Sequence, residues 1–171
     1  MNKPVLLIAA LAAATLAGAA QAHVVFTQPN ATAGGHWAGA LRVSHGCDGS
    51  ATTAVRVEIP EGIVVARPQV PAGWNVAIER QPLAQPVPAE GGGVLTERVS
   101  AITWTGRLPE DQFEEFGLAA KLPAEAGALA FPVIQTCEQG EARWTEAVVA
   151  GAARPAHPAP VLTLQAGGSH H

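Results

Sequence analysis

The sequence has no tyrosine, a single methionine and few charged residues for a chain of 171 residues. Lys, Arg, Asp and Glu together make up 14% of it, whereas an average soluble domain has about 25%. The formal net charge is −4, so the chain lacks the basic surface that binding to nucleic acid requires. Because 48% of the residues are hydrophobic, the composition is also the opposite of that of disordered proteins. The length suits one domain, or two small ones at most.

The sequence also lacks an apolar run of the ~20 residues that a membrane span needs. Its longest such run, residues 5–17, follows the basic Lys3 and precedes small residues at Ala20 and Ala22. This order is typical of a secretory signal peptide. We therefore predict a cleaved signal peptide over residues 1–22, a periplasmic or secreted protein without a membrane span, and His23 as the first residue of the mature chain.

Cysteine is scarce as well, since the chain has two cysteines. In an oxidising compartment Cys47 and Cys137 are expected to form a disulfide. The bond would close a loop of about ninety residues, for which the chain-entropy model gives roughly 4–5 kcal/mol of stabilisation. The alternative is a thiolate metal site that includes His45, two residues before Cys47.

Long helical patterns and internal repeats are absent, and short alternating apolar runs are separated by Gly and Pro instead. In one run Val55, Val57 and Ile59 share a face. Roughly seven to nine such runs predict an all-β, immunoglobulin-like antiparallel β-sandwich, with a jelly roll or a small barrel as alternatives. We expect the domain to span residues 23–164, with a Pro- and Gly-rich loop over 81–93, a strand over 144–149 and a flexible tail over 165–171. The tryptophans are expected in the core.

His23 is the candidate metal ligand that signal cleavage would create. Its free α-amine and its own imidazole Nδ1 could bind one metal ion in a six-membered chelate ring. The ordinary pKa of an α-amine, about 7.7–8.0, lets a metal displace its proton near neutral pH. Cu(II) is the divalent ion that such nitrogen ligands favour most. The copper motif that needs a histidine at the third mature position is excluded, because that residue is Val25.

Further ligands have to come from elsewhere in the chain. A second histidine could be His36, His45 or His157, although none has a supporting spacing. A carboxylate is the other option, and Glu114 and Glu115 lie between two phenylalanines. On a strand these two side chains would point to opposite faces, so one of them could face a pocket.

Nine short blocks follow one order along the whole predicted domain. They are HVVFT at 23–27, AG at 33–34, RVSHGC at 42–47, IPEG at 59–62, PAGW at 71–74, WTG at 104–106, FEEF at 113–116, FPVIQTC at 131–137 and GEARW at 140–144. In these blocks, and over residues 23–164 as a whole, the chain resembles the YcnI-like copper-binding family.

The resemblance implies an immunoglobulin-like sandwich with a Cu(II) site called a monohistidine brace. In such a site His23 contributes its amine and Nδ1, a glutamate completes the coordination, and Trp144 lies close to the metal. Glu115 is our choice of carboxylate, with Glu114 and Glu110 as alternatives. An indole nitrogen is only a donor, so the role of Trp144 would be to exclude water and restrict access, with its ring facing the cation.

From these residues we expect an exported Cu(II)-binding protein for copper acquisition, buffering or delivery, and not an enzyme. Its expected partners are the copper ion and a copper chaperone or membrane copper transporter. No phosphate-binding loop or HExxH zinc motif occurs in the sequence. Three alternatives stay open: a CopC-like chaperone with a two-histidine site, an oxidative copper enzyme similar to the polysaccharide monooxygenases, and a structural or adhesive sandwich in which His23 is incidental. His170 and His171 decide nothing between them.

Overall fold

The structure is a computed structural model that describes residues 23–167. The predicted signal peptide and residues 168–171 of the predicted tail lie outside these residues. Within them the chain forms twelve strands. In order they are β1 (Val25–Phe26), β2 (Asn30–Thr32), β3 (His36–Val43), β4 (Thr52–Glu58), β5 (Ala66–Pro68), β6 (Asn75–Pro88), β7 (Val94–Leu108), β8 (Glu114–Lys121), β9 (Gly127–Ala130), β10 (Val133–Cys137), β11 (Glu141–Trp144) and β12 (Val161–Gln165).

Two antiparallel sheets face each other and form the sandwich. One has the strand order β1-β3-β8-β5 and the other the order β11-β10-β4-β7-β6. Alternate residues of each strand point into the space between the sheets, as the period of two requires. From the first sheet Leu41 and Phe116 are fully buried, and Val57 and Trp104 are fully buried from the second. The prediction of an all-β sandwich is confirmed.

Aromatic rings fill the centre of this core. Trp104 and Trp74 both pack against Phe116, with ring centroids 5.4 and 4.8 Å away. Phe26 lies between Trp37 and Phe131 in edge-to-face contacts at 5.3 and 4.9 Å. All four tryptophans are at most 7% exposed, so they belong to the core as expected.

A third, smaller sheet with the order β2-β12-β9 covers one side of the core. Here β12 pairs in parallel with β2 and antiparallel with β9. Leu162 and Leu164 of β12 are buried. The strand includes Gln165, one residue past the predicted end of the domain.

The prediction of a loop over residues 81–93 is wrong for most of that stretch. Strand β6 continues to Pro88, and its pairing with β7 includes Pro82, Val87 and Pro88, with an irregularity between Pro82 and Val87. Proline is tolerated there because β6 is the edge strand of its sheet, so one side of its backbone needs no ladder hydrogen bonds. The hairpin connection itself is residues 89–93.

The predicted strand over residues 144–149 is also wrong, because β11 ends at Trp144 and begins earlier, at Glu141. Val148 and Val149 are 55% and 62% exposed, so their apolar side chains do not contribute to the core. Short edge strands account for the larger strand count, since two or three residues leave no readable alternation. None of the residues 23–167 belongs to a helix that could cross a bilayer.

Candidate metal centre

His23 and Trp144 lie beside each other at one end of the sandwich. Their ring centroids are 5.7 Å apart, with the planes inclined by 55°. His23 lies two residues before β1 of one sheet, whereas Trp144 is the last residue of β11 in the other. The fold therefore brings together two residues that are separated by most of the domain. Trp144 is 3% exposed, so it presents a fixed ring to the partly exposed His23.

Gln135 of β10 holds the Trp144 indole in place. Its side-chain oxygen accepts a hydrogen bond from Trp144 Nε1 at 3.1 Å. Its amide nitrogen donates to the His45 carbonyl at 2.7 Å and to Thr52 Oγ1 at 2.8 Å. Gln135 is 1% exposed, and these three hydrogen bonds replace the bonds to water that its amide group loses on burial. No role for Gln135 was predicted from the sequence, although its place between Val133 and Cys137 on one strand face indicates that its amide is buried.

His157 is the second histidine that contacts Trp144, with ring centroids 5.1 Å apart. Its segment is tied to Glu146, whose backbone N–H donates to the His157 carbonyl at 3.1 Å. The fold therefore singles out His157 among the three histidines left open from the sequence. His36 instead begins β3 and pairs with Glu90, and His45 lies in the loop of the disulfide.

The three candidate carboxylates occupy different places. Glu115 is in register with Arg42, which is in register with Val25 of β1. Its Oε1 accepts hydrogen bonds from Arg42 at 3.0 and 2.6 Å. Val25 is 40% exposed, so Glu115 lies on the outer face of this sheet, where Arg42 holds its carboxylate.

Glu114 has the opposite orientation, and Glu110 lies elsewhere. Glu114 is in register with the buried Val43, and its carboxylate accepts a hydrogen bond from the Glu115 N–H at 2.9 Å. Glu110 follows β7 and lines a cavity with Trp144 and His157. Of the two phenylalanines that flank these glutamates, only Phe116 is buried in the core, since Phe113 is 64% exposed.

The cavity next to Trp144 has a volume of about 680 Å³. Its walls come from the disulfide loop, the start of the segment after β7, strand β11 and the His157 segment. Charges of both signs line it, so it is a polar cleft rather than an apolar one. The ionisable lining residues are His45, Asp48, Glu110, Glu141, Arg143 and His157.

The disulfide between Cys47 and Cys137 is present, which confirms that prediction over the thiolate alternative. Their Cα atoms are 6.0 Å apart, within the usual range for a disulfide. The bond joins the loop after β3 to the end of β10. Cys47 also lines the cavity, so the crosslink borders the candidate centre.

Within residues 23–167, no group of three or more His, Cys, Asp and Glu side chains is arranged to hold a metal ion. A chelate by the amine and imidazole of one histidine plus one carboxylate needs only two such side chains. The side chains present have ligand atoms that Cu(II) prefers, since imidazole and carboxylate both suit this ion. His23, which lies beside Trp144, together with one of the three candidate glutamates would supply this donor set.

Comparison with known proteins places the chain in a family. A family model described as a domain of unknown function, DUF1775, matches residues 23–164. Among solved structures, one whose title describes an uncharacterized protein from Nocardia farcinica with an immunoglobulin-like fold is 29% identical. The match has a TM-score of 0.65 and covers 83% of this chain and 97% of that chain, which confirms the immunoglobulin-like sandwich. No curated protein matches the chain. The chain belongs to the DUF1775 family.

Proposed function

We propose that the protein is an exported Cu(II)-binding protein that serves copper acquisition, buffering or delivery, and that it is not an enzyme. His23, once it is the first residue, would bind the ion through its amine and Nδ1, and a glutamate would add an oxygen ligand. One imidazole and one carboxylate form an open site, which a metal can enter and leave more readily than a closed cage. Its partner would be a copper chaperone or a membrane copper transporter.

The contact between His23 and Trp144 is the observation that carries this proposal. A ring centroid distance of 5.7 Å puts the indole where it would limit the access of water to a metal on His23. The Gln135 bond to Trp144 Nε1 leaves the face of the ring, rather than its polar nitrogen, for that role. The resemblance to YcnI-like copper-binding proteins supports the same assignment.

The direct test is to titrate Cu(II) into two forms of the protein and to follow it by electron paramagnetic resonance. One form begins at His23, and the other carries one extra alanine before it. We expect the extension to weaken Cu(II) binding by orders of magnitude, because the amine is then no longer on the residue that supplies the imidazole. His23→Ala should have an effect of similar size.

His36→Ala is the matched control, because His36 begins β3 and is bonded to Glu90. It should leave the copper spectrum and the affinity unchanged. Equal affinity of the extended and unextended forms would contradict the proposal and would favour a structural sandwich in which His23 is incidental.

The carboxylate is tested by three substitutions that each remove one charge. We expect Glu115→Gln to change the copper spectrum and affinity more than Glu114→Gln or Glu110→Gln, because the resemblance to the YcnI-like family favours Glu115 as the carboxylate ligand. A larger effect of Glu114→Gln would mean that the block is misaligned by one residue. A larger effect of Glu110→Gln would move the ligand into the cavity.

A two-histidine site is the second candidate, and the contact between His157 and Trp144 favours it. In that case Cu(II) would bind both His23 and His157, as in a CopC-like chaperone. Pulsed electron paramagnetic resonance counts the coordinated imidazoles and separates the two candidates. One imidazole, unaffected by His157→Ala, supports the monohistidine site, and two imidazoles that become one in His157→Ala support the alternative.

A further inference from the structure

A second cavity, of about 510 Å³, lies away from the candidate metal centre. It forms where the far end of the β6–β7 hairpin folds over the outer face of the sheet β1-β3-β8-β5. We call it the hairpin cavity. The hairpin residues that line it include Val87, Pro88, Ala89, Glu90 and Leu95, and the sheet residues include His36, Ala38, Arg67, Ala119 and Lys121.

The inside of the hairpin cavity is mostly apolar. Its floor is formed by Ala38 and Ala119, which are in register on neighbouring strands. Both alanines are exposed, so short side chains leave open space above the sheet. Val65 and Leu95 on its sides are only partly buried. The volume is within the range of small-molecule sites, which are mostly apolar with a few polar groups that fix orientation.

The polar groups gather at one place on the rim. Glu90 of the hairpin connection contacts Lys121 Nζ at 3.0 Å and His36 Nε2 at 3.2 Å. His36 and Lys121 are in register on β3 and β8. Arg67 of β5 also lines the cavity, one strand further across. Two basic side chains of the sheet therefore contact a single carboxylate from the hairpin, and a third basic side chain lines the same cavity.

The connection that carries Glu90 ends in three glycines. Gly91, Gly92 and Gly93 follow Glu90 with φ angles of 92°, 103° and 82°. These angles lie in the region that L residues with side chains rarely adopt, and glycine has the greatest backbone freedom. The Glu90 side chain is also 62% exposed, so water can replace its ion pairs at little cost.

We infer that the hairpin cavity binds a small amphipathic carboxylate, whose apolar part lies over the alanine floor and whose headgroup takes the place of the Glu90 carboxylate beside Lys121 and His36. The ligand class follows from the charges. A cation would meet three basic groups, and a neutral molecule would leave the rim groups without an added partner. A carboxylate instead gains charge-assisted hydrogen bonds from groups that already hold one.

The test uses sodium decanoate and its uncharged analogue decanol, titrated without copper into the chain that begins at residue 23 and followed by calorimetry. We expect saturable binding of decanoate and binding of decanol that is weaker by about tenfold or more, as loss of hydrogen bonds to charged groups predicts. Lys121→Gln should weaken decanoate binding by a similar factor. Glu90→Gln should strengthen it, because the competing carboxylate is gone.

The two rim substitutions distinguish a ligand site from an ion pair that only holds the hairpin against the sheet, because a ligand site predicts opposite effects. If Glu90 only held the hairpin in place, Glu90→Gln would weaken binding as Lys121→Gln does. Arg107→Gln and Glu138→Gln are matched controls, because they remove the charges of another exposed ion pair, and neither should change the affinity. Ala119→Leu, with Ala38→Leu as a second variant, should abolish binding by filling the floor.

Thermal melting of each variant checks that it is folded. Absence of saturable decanoate binding to the wild-type chain would overturn the inference, and so would full binding by Ala119→Leu and Ala38→Leu. Copper affinity plays no part in these measurements, so the inference stands or falls independently of the proposed function.

Discussion

At the scale of single residues, the pKa of Glu90 reports whether its ion pairs with Lys121 and His36 at the rim of the hairpin cavity are formed. The hydrogen bond from Lys121 lowers the pKa of Glu90, and the charge of His36 adds to the effect. A lowered pKa means that these contacts favour the folded state above the ordinary glutamate pKa. Their contribution is lost as the pH falls through the lower folded value.

We therefore predict a carboxyl titration of Glu90 below the ordinary glutamate range, measured by nuclear magnetic resonance, and a return toward that range in Lys121→Gln. Glu79 is the internal control, because its pKa is lowered by a hydrogen bond from Arg56 on another part of the surface. It should not move in Lys121→Gln. An unchanged Glu90 titration in this variant would contradict the ion pair.

Individual site residues could be predicted from the sequence where chemistry or position marks them. His23 stands at the predicted cleavage site, and Trp144 followed from the resemblance. Gln135 and His157 could not be assigned, because their importance comes from contacts with Trp144 that depend on how two sheets meet. The alternation of Val133 and Cys137 indicates that Gln135 points inward but not which residue it contacts, and the neighbours of His157 indicate neither.

At the scale of elements, strand β7 is shaped by the ring of Trp74. A Cβ atom added to Gly106 would lie 2.4 Å from Trp74 Cδ2. The Trp74 ring is 7% exposed and packs on Phe116, so it has little room to move. The absence of a side chain at Gly106 is therefore part of the packing.

We predict that Gly106→Ala lowers the free energy of unfolding by about 1–3 kcal/mol, the usual cost of overpacking a core. Urea denaturation followed by tryptophan fluorescence measures this change. Thr105→Ala is the control, because Thr105 is the exposed neighbour on the same strand, and it should change stability by less than about 0.5 kcal/mol. Equal effects of the two substitutions would show that the ring yields to the added methyl group.

Elements were predictable where alternation is long and one face is buried, as in β4 and in Phe116 and Leu118 of β8. The β6–β7 hairpin was not, because prolines normally mark loops and the pattern of an edge strand is weak. Residues 129–135 form one apolar run in the sequence, but the run divides at Phe131 and Pro132 in the structure. The chain leaves the small sheet there and enters the large one, and that change is set by tertiary packing.

At the scale of the whole molecule, the disulfide connects segments 90 residues apart. We predict that replacing both Cys47 and Cys137 by alanine lowers the free energy of unfolding by about 2–5 kcal/mol, measured by urea denaturation. Dithiothreitol should destabilise the wild-type chain but leave the double variant unchanged. Thiol reagents should label neither cysteine in the native protein, and rapid labelling would contradict the bond.

The architecture as a whole was predictable, since two facing sheets with alternating strands are a general solution for burying apolar side chains. The third sheet was not, because its parallel pair of β2 and β12 joins strands that are far apart in sequence and only a few residues long. Its strands bury Leu162 and Leu164 through contacts that local periodicity does not encode.

The crosslink has a consequence for when the proposed copper centre could take shape. It anchors the loop whose His45 carbonyl accepts a hydrogen bond from Gln135, and Gln135 in turn orients Trp144. A newly made chain with reduced thiols would lack that anchor, so its indole would be less firmly held. Oxidative maturation and readiness to receive copper would then coincide, and a chain that is still in a reducing environment would be a poor competitor for the metal.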